Sequence, residues 1–153
     1  MHVRRMTIER SPMPPRKRMG EVFADAIFRG PSGRRATMRL VVDAGSTYTW
    51  IPARVAVDLG VKPVDTGTFY LADRRRIRRR VGEVEVEIAG RRGTRFVVFA
   101  RERDANVIGV DTLQGLLLYV DPVDHRLRKR RSAWALSPRA VVAGRPPRLS
   151  GAR

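Results

Sequence analysis

The clearest hydrophobic pattern in the chain is an alternation over residues 81–88. Apolar and acidic side chains take turns there, as Val81, Val84, Val86 and Ile88 against Glu83, Glu85 and Glu87. A two-residue period predicts a half-buried β-strand with an acidic outer face. Gly82 breaks the period once, which predicts a β-bulge at that position.

Other short apolar runs between turn signals predict further strands. They cover residues 21–28, 36–42, 66–72, 96–100 and 117–120, with a last short strand near Leu127. Pro52 favours the start of a short helix over 53–59, Gly60 favours its end, and a second short helix reaches Leu116. Seven or eight short strands with one or two short helices predict a mostly-β fold, a barrel or closed sandwich.

The length of 153 residues predicts one folded domain. The chain has no cysteine, which excludes disulfides, thiolate zinc sites and cysteine nucleophiles. No apolar segment approaches membrane-spanning length, and the basic N-terminus has no signal-peptide apolar run. We therefore expect a cytoplasmic protein without a membrane partner.

The formal net charge of +17 is concentrated near the two ends of the sequence. Residues 1–20 carry +5, residues 126–153 carry +9, and both regions contain proline clusters. We expect a basic, Pro-rich disordered tail over 1–20, a folded domain over 21–128 and a basic disordered tail over 129–153. Such tails allow non-specific contact with nucleic acid.

The segment with the strongest candidate chemistry is the turn that begins at Asp43. The apolar run 40–42 delivers this carboxylate onto a turn containing Gly45 and Ser46. Aspartate is depleted from strand interiors, so an aspartate at the end of a strand either caps a turn or does chemistry.

Three features in this order resemble the retropepsin-like, single-lobe aspartic proteases. They are the Val42-Asp43-Ala44-Gly45-Ser46 turn, a hairpin between about Tyr70 and Val81, and the segment 107–113 that leads into the second short helix. The resemblance covers roughly residues 21–128. It implies a closed β-barrel of the retropepsin type and an aspartic endopeptidase that hydrolyses peptide or protein substrates.

The resemblance also implies a homodimer in which each subunit supplies half of the active site. Asp43 of each subunit would be catalytic, with a water held between the two carboxylates and no metal or cofactor. Ala44, Gly45 and Ser46 would form the active-site turn. Gly45 would permit unusual backbone dihedrals, and Ser46 would hydrogen-bond the outer oxygen of Asp43.

Two further segments acquire roles from the same resemblance. Val107, Ile108 and Gly109 would pack beneath the active-site turn and support it. A flap that closes over substrate would be formed by Ala72, Asp73, Arg74, Arg75, Arg76 and Ile77.

The chain departs from the family pattern at two places. Ala44 stands where the family usually has a threonine whose hydroxyl bonds across the dimer, so two hydrogen bonds are lost. Arg74 follows the flap aspartate where related sequences often have glycine, and arginines continue to Arg80. This cluster is a solvated hairpin tip, or it contacts acidic peptides or nucleic acid.

Other interpretations of the same residues remain open. Ser46 and His125 with an acid could form a catalytic triad. Asp121, Asp124 and His125 could bind a metal, although the Asp-Pro-Val-Asp sequence that contains both aspartates is also an ordinary turn sequence. Four aromatic residues could be core or a base-stacking platform, namely Trp50, Phe69, Tyr70 and Phe96. The alternative function is a catalytically silent β-barrel dimer that binds nucleic acid or an acidic partner through the Arg-rich hairpin and the basic tails.

Overall fold

The computed structural model describes residues 20–131, so almost all of both predicted tails lies outside the described residues. Within them the chain forms nine strands and two short helices. In chain order these are β1 (Val22–Arg29), β2 (Arg35–Val42), β3 (Thr49–Pro52), α1 (Ala53–Asp58), β4 (Pro63–Tyr70), β5 (Arg76–Ile88), β6 (Arg91–Ala100), β7 (Val107–Ile108), α2 (Val110–Gly115), β8 (Leu118–Asp121) and β9 (Arg126–Lys129).

Seven of these strands form one sheet in the order β1-β2-β7-β3-β6-β5-β4. Because β1 also pairs with β5, the pairings of six strands form a ring, to which β4 is attached through β5. β8 and β9 form a separate hairpin. The predicted mostly-β class with two short helices is confirmed, and the closed retropepsin-type barrel stays a prediction.

The first hairpin and the first helix form where the sequence predicts them. β1 and β2 pair in continuous antiparallel register from Val22↔Val42 to Arg29↔Arg35. Helix α1 follows Pro52, and Gly60 ends it with a φ of +79°, a conformation that glycine adopts without strain. Both predictions are confirmed.

Strand β5 shows the predicted alternation. Val84, Val86 and Ile88 are at most 2% exposed, whereas Glu85 and Glu87 lie on the outer face and pair with Arg29 at 3.7 and 2.8 Å. The two-residue period therefore has the expected physical cause, because only one face of this strand packs against the core.

The bulge predicted at Gly82 lies in the partner strand instead. The register shift falls between Pro63 and Asp65 of β4, opposite Val81 and Gly82. A Cβ at residue 82 would lie 2.7 Å from Cγ1 of Val61. The glycine is therefore needed for close packing, and the extra residue belongs to β4.

The core is formed by the inner faces of the sheet strands, covered by α1 and α2. Its largest completely buried side chains are Phe28, Ile51, Leu59, Ile88, Ile108 and Leu118. Within residues 20–131, no helix has the length and apolar character needed to cross a membrane.

Phe96 belongs to β6, an interior strand of the sheet, but its side chain is not buried. Residues 97–100 are buried, but Phe96 is 42% exposed and its ring lies 6.4 Å from that of Tyr48. The apolar run 96–100 begins one residue before β6 enters the core. An apolar run therefore marks the strand, and burial depends on the tertiary neighbours of each position.

The contrast between Phe28 and Phe96 gives a stability prediction. We expect Phe28→Ala to lower the free energy of unfolding by about 3–5 kcal/mol, because it leaves a cavity in the core. Phe96→Ala should cost about 1 kcal/mol or less, because much of this ring is already in contact with water. Urea unfolding of both variants measures the difference, and equal losses would contradict this assignment of the core.

Candidate active site

The Asp43 turn is fixed by backbone hydrogen bonds. The Asp43 N–H donates to the carbonyl oxygen of Ile108 at 3.0 Å, and the Asp43 carbonyl oxygen accepts from the Ser46 N–H at 3.1 Å. The Gly45 N–H donates to Oδ1 of Asp43 at 2.8 Å. Asp43 is exposed, and no described residue donates a hydrogen bond to its Oδ2. One carboxylate oxygen is thus oriented by the chain, and the other faces solvent.

One predicted detail of this turn is wrong, and a second is narrowed. The Ser46 hydroxyl donates to the carbonyl oxygen of Tyr48 at 2.8 Å, because the turn directs it towards β3 and not towards Asp43. Gly45 is not among the glycines with positive φ. The absence of a side chain at residue 45 leaves room for the Asp43 carboxylate, since a Cβ there would lie 3.2 Å from Oδ1 of Asp43.

The predicted supporting element lies directly beside the turn. Strand β7 pairs in parallel with β2, through Val41↔Val107 and Val42↔Ile108, and antiparallel with β3, through Trp50↔Val107. It therefore lies between the two strands that flank the Asp43 turn. Val107, Ile108 and Gly109 are all buried.

Gly109 allows two segments of backbone to cross in contact. A Cβ at residue 109 would lie 2.3 Å from both the carbonyl carbon and the carbonyl oxygen of Tyr48. Directly after Gly109, the Val110 N–H donates to the carbonyl oxygen of Ser46 and the Asp111 N–H donates to that of Thr47, both at 2.8 Å. The Asp43 turn and the start of α2 are therefore held as one unit.

A buried pair of threonines completes this unit. Thr49 and Thr112 are both completely buried, and their hydroxyl oxygens lie 2.6 Å apart. The Thr49 hydroxyl oxygen also accepts the Gly109 N–H at 3.1 Å. Sequence reasoning missed this pair, although a polar residue inside an apolar segment is a signal, since a buried hydroxyl needs a partner.

The predicted flap is the tip of the β4–β5 hairpin. The Leu71 N–H donates to the Arg75 carbonyl oxygen, and the Arg74 N–H donates to that of Leu71, both at 2.9 Å. Arg74 has a φ of +65°, where glycine would be unstrained. Ala72, Asp73, Arg75 and Arg76 are exposed and Ile77 is half-buried.

Asp73 organises the flap tip as a small turn. Its Oδ1 accepts the Arg75 N–H at 3.0 Å, and its Oδ2 pairs with the Arg75 Nε at 2.5 Å. The backbone hydrogen bond first, and then the Arg75 guanidinium, lower the pKa of Asp73. The tip is thus a self-contained turn whose arginines remain exposed.

Strand β5 of the predicted flap hairpin is bound to the loop that leads into β7. Arg79 binds Asp104 in a bidentate ion pair, with Nε–Oδ2 at 2.5 Å and Nη2–Oδ1 at 2.8 Å. Both side chains are almost buried, at 12% and 11% exposure. The Arg79 guanidinium, helped by the Arg101 N–H, lowers the pKa of Asp104. Sequence reasoning did not identify this pair.

The triad and metal interpretations are not favoured by the structure. Asp121 accepts the Val123 N–H, Asp124 accepts the Arg126 N–H, and both carboxylates pair with Arg128. The segment is therefore a turn between β8 and β9. No described group of three or more His, Asp or Glu residues is placed to hold a metal, and among residues 20–131 no hydrogen bond joins Ser46 to His125.

The four aromatic residues lie outside the buried core, with Trp50 and Phe69 half-buried and Tyr70 and Phe96 exposed. The Trp50 and Phe69 rings lie 5.0 Å apart, and Tyr48 lies 6.3 Å from Phe69. Phe96 contacts the same Tyr48 ring, and Tyr70 is 74% exposed. These rings join β3, just after the active-site turn, to the flap strand β4.

The Asp43 turn and the buried segment beside it are arranged as the resemblance to aspartic proteases implies. A family model described as aspartyl protease matches residues 26–112, more than half of the chain. The chain belongs to this aspartyl protease family, of the retropepsin-like clan, and the predicted resemblance is confirmed. The match spans both the Asp43 turn and the 107–109 segment. No curated protein matches the chain significantly.

The crossing at Gly109 gives a second stability prediction. We expect Gly109→Ala to cost about 3 kcal/mol or more, because its Cβ would overlap fixed backbone. The matched control is Gly115→Ala at the end of α2, where a Cβ meets the Arg95 side chain, which can move away. This control should change the free energy of unfolding by about 1 kcal/mol or less. Urea unfolding compares the two, and a tolerated Gly109→Ala would contradict the close crossing.

Proposed function

We propose that this protein is an aspartic endopeptidase that acts as a homodimer, with Asp43 of each subunit in one active site. The observation that carries the proposal is the exposed Asp43 carboxylate on a backbone-fixed turn, in a chain of the aspartyl protease family. Peptide hydrolysis in this class needs two carboxylates. Each subunit has one such turn, so a second copy would supply the other.

The chemistry follows from two carboxylates held close together. Both cannot ionise cheaply, so they share one proton and titrate as a unit. The ionised carboxylate takes a proton from the bound water, whose oxygen attacks the peptide carbonyl carbon. The protonated carboxylate polarises the carbonyl oxygen. The C–N bond then breaks, and the leaving amine receives a proton from the pair.

The surrounding residues support this role in three ways. The Gly45 N–H orients Oδ1 of Asp43, which leaves Oδ2 for the water or the partner carboxylate. The segment 107–109 holds the turn in place. The hairpin tip 72–77 would close over substrate as the flap and exclude water.

The alternative of a silent nucleic-acid-binding module stays a prediction. It relies on the basic tails, most of which lie outside the described residues, and the family match gives it no support. Cytoplasmic location and the predicted domain boundaries also stay predictions.

The first functional prediction concerns Asp43 itself. We expect Asp43→Asn to abolish peptidase activity, because an amide cannot act as the general base. Cleavage of a peptide library between about pH 4 and 7 measures this effect. The matched control is Asp25→Asn, an exposed aspartate on β1, which should keep full activity. Equal cleavage by the native protein and Asp43→Asn would refute the proposed mechanism.

The second functional prediction concerns the strength of the dimer. Ala44 is exposed beside Asp43, and a threonine there would restore two hydrogen bonds between subunits. At about 0.5–1.5 kcal/mol for each bond, Ala44→Thr should tighten dimerisation by roughly 5- to 150-fold. Sedimentation equilibrium measures the dissociation constant.

The matched control for this experiment is Ala44→Val, which has the shape of threonine without its hydroxyl. It should leave the dissociation constant close to that of the native protein. If valine tightens the dimer as much as threonine does, side-chain packing and not hydrogen bonding is responsible.

A further inference from the structure

A second concave site lies at the base of the flap hairpin. It is a cleft of about 570 Å³ between the β4–β5 hairpin, the end of β6 and the start of α1. Four arginines line it, namely Arg78, Arg79, Arg80 and Arg101, with Thr66 and Phe99 among the other lining residues. Its volume lies within the range of small-molecule sites, about 300–1,000 Å³.

The positive charge of this cleft exceeds its negative charge. The carboxylate of Asp104 is occupied by the Arg79 guanidinium and the Arg101 N–H. Arg78, Arg80 and the Arg101 side chain are exposed, and among residues 20–131 no carboxylate lies within 4.0 Å of their charged groups. Four arginines against the one carboxylate of Asp104, which also attracts the Arg101 guanidinium, leave a formal excess of three positive charges around one cavity.

These arginines are attached to ordered elements. The Arg80 guanidinium lies 5.2 Å from the centroid of the Phe99 ring, which is 2% exposed, and this cation–π contact restricts the side chain. Arg78 and Arg80 occupy alternate positions of β5 and so lie on the same face of the strand, about 7 Å apart. Arg101 follows the last residue of β6. The Arg80 guanidinium is thus held by packing, whereas Arg78 and Arg101 are placed at the cleft by the backbone of β5 and by the end of β6.

We propose that this cleft binds a compact oligophosphate group, either of free polyphosphate or of a nucleoside triphosphate. Three guanidinium groups around one cavity require several negative charges in a small volume, which a triphosphate supplies. A peptide carboxylate brings only one charge for each side chain. The planar guanidinium also matches phosphate oxygens in bidentate geometry.

The test measures binding of tripolyphosphate to the full chain by isothermal titration calorimetry in about 150 mM salt, where long-range attraction by the tails is screened. The cleft variant is Arg78→Gln/Arg80→Gln/Arg101→Gln. The matched control is Arg34→Gln/Arg35→Gln/Arg126→Gln, which removes the same charge from exposed arginines outside the cleft. We expect the cleft variant to bind at least about tenfold more weakly, because it loses charge-assisted hydrogen bonds, and the control to bind like the native protein.

A cleft variant with lysine at the same three positions covers the case in which the glutamine variant does not fold. It keeps the charge but loses the bidentate fork, so it should bind more weakly than the native protein. Equal weakening of the cleft and control variants would overturn the proposal, because binding would then follow net charge alone. Native-like binding by the lysine variant would overturn the recognition by guanidinium groups.

Two further titrations identify the source of the phosphate and test the ligand class. A nucleoside triphosphate that binds like tripolyphosphate indicates that only phosphate is recognised, and tighter binding indicates contact with the nucleoside. Both results support the site. If single-stranded RNA or hexaglutamate binds more tightly through the same arginines, the ligand class is wrong. Asp43→Asn should bind tripolyphosphate normally, because the cleft does not depend on the proposed peptidase activity.

Discussion

The backbone contact between Tyr48 and Gly109 is the constraint on which the candidate site depends. Only a residue without a side chain can pass the Tyr48 carbonyl group at this distance. The crossing places β7 between β2 and β3 and brings the Ile108 carbonyl oxygen to the Asp43 N–H. The Thr49 hydroxyl accepts the Gly109 N–H that this close approach buries, and it is itself paired with the Thr112 hydroxyl. A buried polar group left without its hydrogen-bond partner would cost about 1–3 kcal/mol.

The Asp43 turn is also connected to the β4–β5 hairpin, the predicted flap. The loop after β6 leads into β7, and its Asp104 holds Arg79 of the flap strand β5 in an almost buried ion pair. Loss of either partner would leave the other charge unpaired in a poorly solvated position. This loss would destabilise the fold by more than the intact pair stabilises it. The arginine cleft lies on this connection, so an anion bound there would contact the flap strand and the loop together.

Much of the fold could be predicted because its signals are local. The alternation of Val84, Val86 and Ile88 identified β5, and Gly60 identified the end of α1. The errors arose where long-range neighbours decide the outcome. Phe96 is apolar but lies on the surface beside Tyr48, and the Ser46 hydroxyl bonds Tyr48 because of the direction in which the chain enters β3.

The sequence alone determined the class of this protein, because the Asp43 turn, the hairpin and the segment 107–113 are each local patterns that can be recognised in order along the chain. The tertiary structure decided how these parts support one another. It paired β7 with β2 and β3, joined Arg79 to Asp104, and gathered Arg78, Arg80 and Arg101 around one cleft. Such contacts are set by strand order and register, which the spacing of residues along the chain does not specify.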